Sequence, residues 1–396
     1  MSKKYLIGQL ACYGDCLFAT TIAKQIKHDY KDAHITWAIA SKYKSILHLN
    51  PDVDSIWEIP IVDGDYYIKG WAYFEKEVTR RKSNGDFDVI IYSQIPPLNW
   101  IHFTGTIRSS ILRSYGKAIT VDVAPVVRLS DLEVEHVKLF ATQNNLNQYK
   151  HVILFECNPG SNQSKMNPTI AEKIARTLTE KNKDLCFILT TPQKLRFTNP
   201  QIIDASTLSF RENAELTKFC TLLVGCSSGI TWLSTSDWAK KLPMLQLIDR
   251  NAPVFAGIHF DFEVNKIETS LVIELIDFDE NSVRKNIDLI LHEDFSKVKS
   301  QIHQEYKPTA EDLFILTNKL NFFEIRIKDI ALFVFHYIVF NYKNNNNLKV
   351  NPFFYCNMVL RMYLKKHYNE ISFENSLWNS CKYLIKNRFL KRYTKV

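Results

Sequence analysis

Along the first 128 residues, short apolar runs alternate with segments whose apolar positions recur at helical spacing. Residues 5–7, 34–39, 55–59, 87–92 and 118–123 read as strands. Gly8 ends the first run. Gly14-Asp15 then opens a helix over about 16–28, with Leu17, Phe18, Ile22 and Ile26 on one face. Asn50-Pro51-Asp52 marks a turn between the second and third strands. The charged and aromatic stretch 63–84 reads as a surface helix with loops, and 129–150 as one amphipathic helix ending in an Asn/Gln-rich stretch. The alternation then resumes. Strands are expected at 151–155, 185–190, 222–224 and 245–248, with a polar loop at 158–168 and helices at 169–181, 212–219 and from 230 onward. From about 311 the chain becomes helical, aromatic and basic, broken by the Asn344–Asn347 run and Pro352, and no fixed-period repeat appears.

Strands alternating with helices predict an α/β fold with parallel, doubly wound sheets. Two such sets predict two Rossmann-like domains facing a cleft: 1–128, a linker at 129–150, a second domain at 151–310, and a helical tail at 311–396.

Composition narrows the class. A hydrophobic content of 46% over 396 residues supports full cores in two domains. The first residues run straight into a patterned strand, with no secretory-signal pattern. The longest apolar stretch of the second half, 330–340, is interrupted by His336 and is about half of what a membrane span needs. Eight scattered Cys, with Cys12 and Cys16 the one close pair, predict a reduced, cytoplasmic protein without a disulfide frame. There is no HExxH and the 11 His form no ligand cluster in sequence, so no metal is expected and His259 reads as structural. The net charge of +8 is concentrated: residues 341–396 hold 11 Lys and Arg against 2 acids, while the preceding 340 hold 39 against 40. Basic residues interleaved with aromatics in the tail suit an anionic membrane surface, at the inner membrane, rather than nucleic acid.

Three places carry candidate chemistry. Asp15 stands where the first loop becomes a helix, which is where ligands sit in open α/β sheets, and it reads equally as the N-cap of that helix. Glu156 ends a strand, where a catalytic carboxylate would project. It is followed by Ser161, Asn162, Gln163, Ser164 and Lys165, whose side chains and amides suit an anion. Ser227-Ser228-Gly229 is a second strand–loop–helix junction with small residues, and Arg211-Glu212 suits phosphate and ribose hydroxyls. Four Asp-x-Asp pairs (Asp52/Asp54, Asp63/Asp65, Asp86/Asp88, Asp277/Asp279) have metal–diphosphate chemistry but none lies in a phosphate-type loop.

In combination and order, residues 5–60 and 150–250 resemble bacterial family 9 glycosyltransferases, the ADP-heptose:lipopolysaccharide heptosyltransferases. The resemblance rests on the Gly14-Asp15 loop, the Ile35-Thr36-Trp37 strand, the Asn50-Pro51-Asp52-Val53-Asp54 turn and the later Gly-x-x-Ser-Gly block. It implies a GT-B fold and a metal-independent transferase with no cofactor beyond its nucleotide-sugar co-substrate. The acceptor, a lipid-linked or polysaccharide surface glycan such as lipopolysaccharide or capsule, would be held mainly by the first domain. By the same resemblance Asp15 is the general base, Gly14 and Gln9 belong to the acceptor-side loop, and Lys165 meets the donor phosphate. Ser227-Ser228-Gly229 takes the place of the family's Asp-Thr-Gly donor triplet, and Trp232 that of the following His. The Glu156 block resembles GT-B transferases of Kdo and related acidic sugars. That gives an alternative, a retaining transfer from CMP-Kdo with Glu156 catalytic. A third reading is a degenerate transferase that only binds.

Overall fold

A computed structural model describes residues 2–61, 69–95, 106–250 and 257–307. The expected tail at 311–396 and the Asp63/Asp65 pair lie outside the described residues. The first half runs β1 (Lys4–Gly8), α1 (Tyr13–Asp29), β2 (His34–Ala40), β3 (Ser55–Ile59), α2 (Lys69–Ser83), β4 (Val89–Tyr92), α3 (Ile107–Arg113) and α4 (Asp131–Gln143). The second runs β5 (His151–Glu156), α5 (Pro168–Lys181), β6 (Leu185–Thr190), β7 (Ile202–Asp204), α6 (Glu212–Leu216), β8 (Leu222–Gly225), α7 (Gly229–Leu233), β9 (Met244–Ile248), α8 (Ile258–Val264), β10 (Val272–Ile276), α9 (Glu280–His292) and α10 (Phe295–Ile302).

Both sheets are parallel throughout, as buried apolar runs joined by helices require. The strand orders are β3-β2-β1-β4 and β10-β9-β8-β5-β6-β7. In each sheet the winding reverses beside the first strand, between β1 and β4 and between β5 and β8. The carboxyl ends of those strands are the places such sheets offer to ligands.

The alternation of side chains along each strand divides the core. Leu154, Cys186 and Ile188 point to one face and Ile153, Phe155, Phe187 and Leu189 to the other. The second set packs with α5 and α9 residues such as Ile174 and Ile287. The first joins a cluster that runs continuously through both halves, from Ile7, Phe18 and Trp37 to Trp232, Ile258 and Phe262. Leu6 and Ala38 face the remaining cluster with Trp71 and Phe74 of α2. The two sheets are therefore joined through apolar packing as well as through the 129–150 connection. That connection begins with a full capping box, Ser130 and Glu133 bonding reciprocally.

Residues 118–123, expected as a strand, are not one. Gln25 of α1 captures that segment: its Oε1 accepts from Thr120 N (2.7 Å) and Val121 N (3.0 Å), and its Nε2 donates to Thr120 Oγ1. The extended chain runs along α1 instead of adding to the sheet.

Candidate functional site

The β1–α1 loop is fixed from beneath. Gln94, just past β4, accepts from Leu10 N and Ala11 N at 2.8 and 3.0 Å. Gln9, expected on an acceptor-facing loop, is buried. Its Nε2 donates to Ala11 O, its Oε1 accepts from Ser93 Oγ, and its carbonyl takes the Trp37 indole N–H. It shapes the loop and meets no solvent.

Cys12, in the left-handed region at φ 71°, precedes α1 and makes no side-chain cap. Asp15 is the third residue of the helix, so the capping alternative falls. Its carboxylate instead faces Arg108 of α3, with Oδ1 4.0 Å from Nη2. Asp15 keeps 16% side-chain exposure. Burial pushes its carboxyl up and the guanidinium pulls it back down, burial being the larger effect. Arg108 is buried, lies 4.4 Å over the Trp232 ring, and has an Nε without a hydrogen-bond partner. Asp261 of α8 is buried nearby, with Oδ1 unpartnered among the described residues. Burial lifts the Asp261 carboxyl to about 7, Arg108 opposing and Asp15 reinforcing that rise. Asp15 and Asp261 thus both feel the charge of Arg108, and only Asp15 comes within 4.0 Å of it.

This group lies where the two halves touch. Phe18 of α1 meets Trp232 of α7 edge-on at 5.5 Å, and Tyr13 meets Phe210 at 4.3 Å. A Cβ on Gly14 would stand 3.0 Å from Trp232 Cδ1, and one on Gly229 would stand 3.0 Å from Phe210 and 3.3 Å from the Tyr13 Cβ. The first turns of α1 and α7 therefore approach each other through two glycines, one from each half.

The loops after β5 and β8 lie side by side at their switch point. Gly160 N donates to Ser228 Oγ at 3.1 Å, and Ser161 Oγ reaches Cys226 O at 3.5 Å. Ser227 adopts φ 49°, donates its N–H to Gln246 Oε1, and keeps a buried, unpartnered Oγ. Asn162 is also left-handed, and Ser164 Oγ accepts from Met166 N. The Gln163 side chain is buried with both amide atoms unpartnered, its own carbonyl accepting from Asp249 N. Lys165 is exposed, with its ammonium 5.7 Å over the Phe278 ring.

Three expected site residues are otherwise engaged. Glu156 does not project freely. Its Oε1 accepts from Ile230 N (2.9 Å) and Thr231 N (3.4 Å), and its Oε2 from Cys226 N (2.8 Å) and Thr231 Oγ1 (2.6 Å). Four donors take about all the lone-pair sites a carboxylate has. Arg211 is likewise saturated. Its five N–H groups go to both Glu133 oxygens and to the carbonyls of Ser45, His48 and Arg128, so none remains for phosphate. Glu212 accepts from Ser209 N and pairs with His136 at 2.7 Å. These are clamps that tie the first half, the connector and the second half together.

The described Asp-x-Asp pairs hold structure as well. Asp54 bonds Lys27 and Ile35 N, Asp88 takes Lys4 N, and Asp279 caps α9. Sequence reasoning missed Arg108 and Asp261. The one available signal was an acid set between two phenylalanines, Phe260 and Phe262.

No family model matches this sequence, and no curated protein does. Solved structures do. The glycosyl transferase family 9 protein of Veillonella parvula is 16% identical, with 74% of this chain and 92% of that one covered at a TM-score of 0.52. The E. coli ADP-heptose lipopolysaccharide heptosyltransferase II is 14% identical, with 73% and 98% covered at 0.49. At these identities the likeness is one of fold. The chain folds as the Veillonella family 9 glycosyltransferase does, with parallel α/β sheets that fit the GT-B architecture.

Proposed function

We propose that this protein is a glycosyltransferase that moves a sugar from a nucleotide-sugar donor to a surface-glycan acceptor. The observation that carries the reading is the meeting of Asp15 and Arg108 with the β8–α7 junction, at the contact between two sheets that both present ligand-type switch points. Asp15, partly accessible and with a carboxyl raised by burial, takes the proton from the acceptor hydroxyl. The loops at Ser161–Lys165 and Ser227–Gly229 face the donor, with the exposed Lys165 ammonium and the unpartnered Ser227 hydroxyl for the leaving phosphate. Glu156 holds the second loop and does no bond chemistry, which favours the Asp15 reading over retaining transfer from CMP-Kdo.

A nucleotide panel tests the donor side. A nucleoside diphosphate at about a hundredfold excess over its Kd should raise the Tm by several degrees. A shift with CMP but not ADP or UDP would restore the acidic-sugar reading. No shift with any nucleotide would leave only a binding protein.

We place the enzyme at the cytoplasmic side of the inner membrane, because the excess basic charge of 341–396 suits anionic lipid. No helix among the described residues is long and apolar enough to cross a membrane. The full chain should float with phosphatidylglycerol vesicles and lose most of that binding when 341–396 is deleted. Equal flotation of both would sink the membrane assignment.

A further inference from the structure

Away from the Asp15 group, α8 and the segment after α10 bring together ionisable side chains that the transfer reaction does not use. His259 and Glu263 lie one turn apart on α8, on one face. Glu305 comes from the segment that follows α10 and packs back against them. His259 Nδ1 is 3.4 Å from Glu305 Oε1 and 4.0 Å from Glu263 Oε1, and the three ligand atoms all lie within 4.8 Å of one another. A tetrahedral ion with bonds of about 2.1 Å sets its ligands about 3.4 Å apart, so small side-chain movements close the set.

A second observation points to a ligand. His259 is only 7% exposed, and among the described residues its buried Nδ1 makes no well-formed hydrogen bond, although Glu305 Oε1 lies 3.4 Å away. Glu305 Oε1 is likewise buried and unpartnered. Coordination through Nδ1 needs the tautomer with its proton on Nε2, so Lys299, whose ammonium stands 3.4 Å from Nε2, draws back as the ion binds.

We propose that His259, Glu263 and Glu305 form a binding site for a divalent first-row transition ion, with Zn²⁺ the best fit. One imidazole nitrogen and two carboxylate oxygens are borderline-to-hard ligands, which suit Zn²⁺ or Mn²⁺, whereas Ca²⁺ and Mg²⁺ take oxygen ligands and gain little from the imidazole. The site is structural. It ties the approach to the C-terminal segment onto α8, the helix that carries Asp261 on another face.

Two lysines set its strength. Lys307 already pairs with the outer oxygens, 2.9 Å from Glu305 Oε2 and 3.8 Å from Glu263 Oε2. Lys299 approaches His259 Nε2 at 3.4 Å while donating to Thr269 O at 2.7 Å. Both cations oppose an incoming ion, and Lys307 competes with it for the same carboxylates.

The test uses the full chain, stripped with chelator and titrated with Zn²⁺, Mn²⁺ or Mg²⁺. Metal content after dialysis is read by mass spectrometry, and Tm by scanning fluorimetry. Zn²⁺ should bind at one ion per chain and raise the Tm, and Mg²⁺ should do neither. Glu263→Gln, at a half-exposed position that folding tolerates, should weaken binding at least about tenfold. Lys307→Met should tighten it. Failure of Zn²⁺ and Mn²⁺ to bind the wild type would overturn the site. So would Zn²⁺ binding undiminished in both Glu263→Gln and His259→Gln, which would put the ion on other residues. None of these readouts depends on sugar transfer.

Discussion

Replacing Asp15 with Asn should lower sugar transfer by about 10²- to 10⁴-fold, the usual worth of a positioned general base. The nucleotide-induced Tm shift should survive, because the nucleotide loops belong to the other half of the chain. The fold should survive as well. Asn has the same shape, and among the described residues Asp15 makes no cap and has a single ionic neighbour at 4.0 Å. Removing its charge also relieves Asp261, whose carboxyl Asp15 helps to raise. The pH profile separates a base from a merely structural acid. Burial lifts the Asp15 carboxyl above the ordinary range, so the wild-type rate should rise with pH as that group loses its proton. In the Asn variant the residual rate should lose that limb. Transfer at the wild-type rate would remove Asp15 from the mechanism.

The positions of the loops that bear on this reaction were legible because they follow from strand ends, and strand ends follow from apolar runs. Ser55–Ile59 and Leu185–Thr190 coincide with their expected spans, and β1, β2, β5, β8 and β9 differ by a residue or two. Where an apolar run was impure, the pattern failed. β10 reads Val-Ile-Glu-Leu-Ile, and the central Glu274 hides the strand. That carboxylate is fully buried, and the amides of His259 and Tyr306 meet it. β7 has only three residues at a sheet edge, too few to carry a period.

What a side chain does in the site was far less legible, since its partners come from distant segments. Arg211 looked like a phosphate ligand because nothing local occupies it. Its partners at Ser45, His48, Arg128 and Glu133 lie far back in the chain. Arg108 gave no local signal for the same reason. Its significance is set by Asp15, Trp232 and Asp261, each on a different helix. The His residues show the converse. His259 and His303 are isolated in sequence, yet their rings stand 4.5 Å apart, beside Glu305.

Replacing Glu156 with Gln decides whether that residue positions the loop or acts on the substrate. If it were the reacting carboxylate, the variant would fold as the wild type does and lose only transfer. The four bonds it accepts predict otherwise. Gln keeps one acceptor oxygen and turns the other into an N–H donor, which then faces the Cys226 amide and the Thr231 hydroxyl, or the amides of Ile230 and Thr231. Bonds to a charged group contribute about 1.5–3 kcal/mol each, and a buried donor left without a partner costs a similar amount, so a loss of about 3 kcal/mol is expected. There is little slack to absorb it. Gly225, next to this bond set, would place even a Cβ 2.4 Å from Gln246 Nε2 and Thr231 Oγ1. The urea midpoint should fall, and the nucleotide-induced shift should shrink with it, as the Ser227–Gly229 loop loses its anchor. The pH dependence of stability gives an independent sign. Burial raises the Glu156 carboxyl above its unfolded value despite the four donors, so the folded state holds the proton more tightly. Its contribution therefore falls as pH rises from the unfolded carboxylate range to the raised folded value, and the Gln variant should lack that slope. An unchanged urea midpoint with transfer abolished would return Glu156 to the reaction and displace Asp15 from the central role.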